Sequence, residues 1–204
     1  AGSGSLTGRD VASTWALDGS PTYSDGTATL NFSGFSTLQG GSNIDTFNVT
    51  ANSSFNLKGG AGIDVFDIGS VTLTGSVDGE TNGATLQGTG IANVTLTADG
   101  STTGFDGSTA ALTAGFDNIS TIAGSGSLTG RDVASTWALD GTPTYSDGSA
   151  TLHFSGFSTL QGGSGDDTFT LASGVTSFNG TINGGGGTNS LAATNGTNHW
   201  VMTG

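Results

Sequence analysis

The chain has 204 residues, 38 of them glycine, and its 16 acidic against three basic side chains give a formal net charge of −13. With only Arg9, Lys58 and Arg131 as cations there is no patch to displace counterions from nucleic acid, and an anionic membrane surface would repel the chain. The absence of cysteine excludes disulfides and thiol chemistry, and no stretch is apolar enough to span a bilayer as a helix.

Residues Ala1 to Ser42 reappear as Ala123 to Ser164 with three changes, Ser20 to Thr142, Thr27 to Ser149 and Asn31 to His153. Repetition of this kind points to an extended, repetitive architecture rather than to one compact core. Both ends of the sequence fall inside repeats, so it reads as part of something longer. In chain order, short alternating runs predict strands with one buried face: Trp15-Ala16-Leu17, Leu30-Asn31-Phe32, Phe47-Asn48-Val49, Phe55-Asn56-Leu57, Val65 to Ile68, Val94-Thr95-Leu96 and Phe169-Thr170-Leu171. Asp-Gly pairs at Asp18, Asp25, Asp78, Asp99, Asp106, Asp140 and Asp147 predict the turns between them. No window has helical periodicity.

A leucine followed nine positions later by tryptophan recurs at Leu6–Trp15, Leu128–Trp137 and Leu191–Trp200, and Leu86–Thr95 keeps the spacing without the tryptophan. The leucines are 80, 42 and 63 residues apart, near four, two and three steps of about 21. The expected fold is therefore all-β: a right-handed parallel β-helix (β-solenoid) with coils of about 19–22 residues. It would form one elongated body over residues 1–204, with degenerate middle coils at about 71–122. An immunoglobulin-like sandwich would repeat nearer every 100 residues.

Four glycine-rich segments precede strands: Gly40-Gly41-Ser42-Asn43-Ile44-Asp45, Gly59-Gly60-Ala61-Gly62-Ile63-Asp64, Gly162-Gly163-Ser164-Gly165-Asp166-Asp167 and Gly184-Gly185-Gly186-Gly187-Thr188-Asn189. They resemble the calcium-binding nonapeptide of RTX proteins, in which glycines expose carbonyl oxygens and an aspartate supplies a hard ligand. The resemblance makes Asp45, Asp64, Asp166 and Asp167 the candidate Ca²⁺ ligands. Asp45 and Asp64, 19 residues apart, would stack if one coil has that length. Unlike RTX repeats, the segments stand alone rather than in tandem, and Asn189 replaces the aspartate of the fourth. The alternative is that these acids serve tight turns by accepting hydrogen bonds from backbone N–H groups.

Trp15, Trp137 and Trp200 fit interior anchors better than sugar-stacking platforms. Arg9-Asp10 and Arg131-Asp132 read as local ion pairs. His153 replaces Asn31 and His199 has no carboxylate nearby, so neither suits catalysis. Glu80 is the single glutamate, no pair of carboxylates stands apart from the repeats, and no nucleophile or zinc motif is present. The expectation is no enzyme and no required cofactor. Threonine-rich strands such as Thr168-Phe169-Thr170 leave an ice-binding solenoid as a minor alternative.

The run GFSTLQGGSGDDTFTL at Gly156 to Leu171, followed by GTINGGGGTNSL at Gly180 to Leu191, resembles the repeat regions of giant bacterial surface proteins, the filamentous-haemagglutinin-like and RTX-like adhesins. The resemblance implies a secreted, extracellular stalk or matrix module for adhesion or biofilm, built from neighbouring repeats of a longer chain. Exposed strand edges would separately invite end-to-end or lateral self-association. A glycan- or cation-binding adhesin module is the competing reading.

Overall fold

The computed structural model describes residues 2–171 and 178–193; Trp200 and His199 lie outside the described residues. Among the described residues there is no helix, and the strands join one mixed, mostly parallel sheet. This all-β arrangement is compatible with a β-solenoid. The first copy of the duplicated segment supplies β1 (Ser5–Thr7), β2 (Ser13–Leu17), β3 (Thr22–Ser24), β4 (Thr29–Asn31) and β5 (Thr37–Gln39). Next come β6 (Asp45–Val49), β7 (Asn56–Lys58), β8 (Val65–Ile68) and β9 (Val77–Asp78). The middle forms β10 (Ala84–Asp99), β11 (Phe105–Thr109) and β12 (Leu112–Thr129). The second copy and its continuation give β13 (Ser135–Leu139), β14 (Thr144–Ser146), β15 (Thr151–Ser155), β16 (Thr159–Gln161), β17 (Asp167–Leu171), β18 (Thr181–Asn183) and β19 (Ser190–Ala193).

Parallel register stacks like on like. Leu6 pairs with Leu38 and Trp15 with Phe47, a step of 32 residues. Leu38 pairs with Leu57 and Phe47 with Phe66 at a step of 19, and Leu57 with Val77 and Phe66 with Leu86 at 20. Leu86 continues to Ile122, a step of 36, and Ile122 to Phe154, again 32. In the second copy Trp137 meets Phe169 after 32 residues and Phe169 meets Leu191 after 22.

Steps of 19, 20 and 22 fall in the expected range, and the longer ones have a physical cause. β2, β3 and β4 are antiparallel neighbours, Trp15 opposite Tyr23 and Tyr23 opposite Leu30, so the extra residues fold back as a hairpin before the next parallel strand begins. β13, β14 and β15 repeat this, and β10, β11 and β12 do it in the middle. Leu86 belongs to the column headed by Trp15 and not to that of Leu6, so the leucine separations are not multiples of one unit.

The interior is a file of rings and branched side chains. Trp15 stacks on Phe47 with centroids 5.5 Å apart and planes 7° off parallel, and Phe47 on Phe66 at 5.0 Å. Trp137 stacks on Phe169 at 5.2 Å. All five rings are buried, which makes Trp15 and Trp137 core anchors. Burying each such side chain contributes about 1.5–3 kcal/mol, with offset stacking adding about 1. The middle is not degenerate in role. β10 and β12 turn corners at residues with left-handed backbone, Gly88 and Asn93 in one and Gly115, Asn118 and Gly126 in the other. Each thereby serves two ladders: Leu86 and Ile122 extend the Trp15 column, while Val94 and Leu128 begin the second copy's column through Leu160 to Ile182.

Candidate functional site

The glycine-rich segments and their acids lie where the chain leaves one strand and enters the next. Residue 45 opens β6, so the alternation that buries Phe47 and Val49 also turns Asp45 inward. The same phase buries Asp64 ahead of Phe66 and Asp167 ahead of Phe169. Backbones approach closely here. A Cβ on Gly40 would strike the carbonyl oxygen of Gly59, and Gly60, at φ +98°, meets that of Gly41.

The inward carboxylates form two ladders of hydrogen bonds. In the first, the Ser13 hydroxyl donates to Asp45 Oδ1, the Gly41 N–H donates to Asp45 Oδ2 at 2.7 Å, and the Asp45 N–H donates to Asp64 Oδ1 at 2.8 Å. In the second, the Ser135 hydroxyl donates to Asp167 Oδ1 at 2.5 Å and the Asp167 N–H donates to Asn189 Oδ1 at 2.9 Å. Asp64 and Asn189 thus each take up the strand-opening amide of the neighbouring strand, a group that would be costly to bury unpaired. Asp166 is exposed and separate in role: its Oδ1 accepts the Thr188 N–H at 2.6 Å.

Burial raises the pKa of all three inward acids. For Asp64 it reaches about 6, desolvation being reinforced by the charges of Asp45 and Glu80. Asp45 and Asp167 rise for the same reason, opposed by their serine hydroxyls. Of the candidate ligands, the structure stacks Asp45 on Asp64 as the 19-residue spacing suggests, and gives Asp167 the partners Ser135 and Asn189. Asp64 Oδ2 and Asp167 Oδ2 are buried without a hydrogen-bond partner. Ca²⁺ takes six to eight oxygens, whereas both oxygens of Asp45 and one of Asp64 face N–H or O–H donors.

Sequence reasoning missed the two serines, although Ser13-Thr14-Trp15, Asp45-Thr46-Phe47 and Asp64-Val65-Phe66 share one phase. It also paired the arginines with the wrong acids. Arg9 reaches Asp25 at 2.6 Å, across the hairpin, and Arg131 reaches Asp147 and, at 2.7 Å, Asp99. Asp-Gly turns form as expected at Asp18, which accepts the Ser20 N–H, and at Asp140, which accepts that of Thr142, whereas Asp106-Gly107 lies inside β11 because both residues pair with neighbouring strands.

A second group of acids surrounds Asn118. Lys58 bridges Asp78 at 3.1 Å and Glu80 at 2.9 Å, and Asn118 Nδ2 donates to Asp78 at 2.8 Å. Asp106 and Asp117 lie together: burial and the neighbouring carboxylate push Asp106 up to about 7, and the hydrogen bond from Asp106 holds Asp117 below its ordinary value against desolvation. Compared with known proteins, the chain matches no family model, no curated relative and no solved structure.

Proposed function

We propose that the chain is a structural module: a right-handed β-solenoid, elongated as one body, that stacks with further repeats into a stalk or matrix fibre outside a bacterial cell. The observation that carries this reading is the column from Trp15 through Phe47, Phe66, Leu86 and Ile122 to Phe154, which runs from one copy of the duplicated segment into the other. Such a column gives every layer two neighbours and grows by addition of layers. The net charge of −13 keeps such rods apart in solution. The glycine-rich segments serve as turns whose buried acids clamp adjacent layers. Adhesion is then mechanical, presenting other parts of a longer chain at a distance, with glycan recognition as the competing role.

Small-angle scattering tests the shape. An elongated monomer with a narrow cross-section supports the reading, and a compact globule of 204 residues would sink it.

A further inference from the structure

The two copies of the duplicated segment are nearly identical in sequence and unequal in burial. Leu152 is fully buried, whereas its equivalent Leu30 is 49% exposed. Tyr145 is covered by Phe105, with ring centroids 5.3 Å apart, and Tyr23 has no ring at that place among the described residues. Arg131 lies between Asp99 and Asp147 and its side chain is 19% exposed; Arg9 pairs with Asp25 and its side chain is 69% exposed. Leu128 pairs with Val94 and His153 with Thr121, but among the described residues β1 pairs only with β5, and β4 only with β3.

The cover that the second copy has and the first lacks, among the described residues, comes from residues 92–123. Strand edges at Ala92–Thr95 and Thr121–Ala123 lie beside it, Phe105 lies on its tyrosine, and Asp99 meets its arginine. The groups that receive them, Leu128, Arg131, Tyr145, Asp147 and Leu152, recur unchanged as Leu6, Arg9, Tyr23, Asp25 and Leu30. In the first copy those residues line an open groove of about 420 Å³.

We propose that this groove is a docking surface for a hairpin of the kind formed by residues 92–123, supplied by a further copy of the middle segment. The receiving side is already built. Among the described residues β1 and β4 offer free strand edges, and Tyr23 is fixed by the hydrogen bond its hydroxyl accepts from the Arg9 N–H at 2.9 Å, as Tyr145 is by that from Arg131 at 3.0 Å. The charge is complementary as well. Arg9 is one of three basic side chains in a strongly acidic chain and holds one carboxylate, where Arg131 in the covered copy holds two. The occupant is thus a β-hairpin presenting an aromatic ring and an acid in the places of Phe105 and Asp99. This inference rests on the stacking reading and names which layer joins which.

The test adds a second copy of residues 43–122 ahead of Ala1 and follows amide hydrogen exchange. The amides of Leu6, Thr7, Leu30 and Asn31 should slow at least tenfold, toward the rates of Leu128, Thr129, Leu152 and His153 in the same molecule. Phe105→Ala with Asp99→Asn, made only in the added copy, should reverse this. In the 204-residue chain itself the same two changes should speed exchange at Leu152 and His153 toward the rates of Leu30 and Asn31. Unchanged exchange at Leu152 in that variant, or at Leu30 in an extended chain whose added strands are protected, overturns the proposal. Scattering from the extended chain separates the two readings: a longer rod with Leu30 still exchanging freely sinks the docking surface alone, and a compact particle sinks the stacking itself.

Discussion

Asn189 stands in the second ladder where Asp64 stands in the first. Asp45 donates its N–H to Asp64 Oδ1 at 2.8 Å, and Asp167 donates its N–H to Asn189 Oδ1 at 2.9 Å. The position therefore asks for a carbonyl-type oxygen and works without a charge. Asn189 also uses its other end, donating from Nδ2 to the Gly186 carbonyl at 2.8 Å, whereas Asp64 Oδ2 is buried without a partner.

Asp64→Asn is accordingly expected to stabilise the protein at neutral and alkaline pH. The folded-state pKa of about 6 lies above the ordinary 3.8, because burial disfavours the charged form. The native state therefore holds a proton that the unfolded chain releases. The resulting stability is fully present below about 3.8 and is lost as pH rises through about 6. The wild-type melting temperature should fall between pH 5 and pH 8. In the variant that fall should shrink, with a gain on the order of 1–3 kcal/mol at pH 8. A lower melting temperature for the variant at pH 8 would show that the charge itself is needed.

Calcium gives an independent check on the same residues. If the inward acids act as hydrogen-bond acceptors, the melting temperature is the same in EDTA and in millimolar Ca²⁺. A rise with Ca²⁺ that disappears in Asp45→Ala with Asp64→Ala would instead make them ligands.

Removing the serine hydroxyls isolates the outer end of each ladder. Ser13→Ala and Ser135→Ala each leave a buried Asp Oδ1 without its hydroxyl donor. Each change should cost about 1–3 kcal/mol in denaturant unfolding. A cost below about 0.3 kcal/mol in both would mean that water or a backbone amide replaces the hydroxyl.

Position along the column predicts a gradient of truncation costs. Phe66, fully buried under Phe47, should lose about 3–5 kcal/mol on change to alanine. Leu191, paired with Phe169 yet 47% exposed, should lose about 1 kcal/mol or less. Equal losses at the two sites would contradict the described packing.

The Asp106–Asp117 pair predicts a carboxyl group that titrates near neutral pH. Asp106, held at about 7 first by burial and then by Asp117, should show a carboxyl carbon-13 titration with a midpoint far above that of ordinary aspartates. The contribution of Asp106 is fully present below about 3.8 and lost as pH rises through about 7, whereas that of Asp117, whose value is lowered, is present above its ordinary value and lost as pH falls. A midpoint near 4 would place the two side chains apart in solution.

Strands and many turns were legible because alternation fixes which side chains face inward and Asp-Gly favours a reversal, as at Asp18 and Asp140, though Asp106-Gly107 runs straight through β11. The stacking of Asp45 on Asp64 was legible for the same reason, from spacing and phase. The hairpins were not. Thr22-Tyr23-Ser24 alternates as Thr37-Leu38-Gln39 does, and a period of two does not distinguish an antiparallel return from a new parallel layer. Leu86 shows the limit plainly: it keeps the spacing of the Leu–Trp repeat and sits in the tryptophan column, because register is set by the whole sheet face rather than by one interval. The partner of Arg131 was equally hidden, since Asp99 reaches it only through the fold of the middle segment.

The identity of β2 and β13 raises a question of assembly. Both read Ser-Thr-Trp-Ala-Leu, and each receives a strand that begins Asp-Thr-Phe, β6 on β2 and β17 on β13. Side chains alone scarcely tell β6 which of the two to choose. Chain distance does: the correct partner lies one step away, and closing the longer loop to the wrong copy is slower and entropically poorer. The protein thus finds its pairing by proximity, and joining many such copies in one chain would make the order of synthesis a guard against mispaired strands.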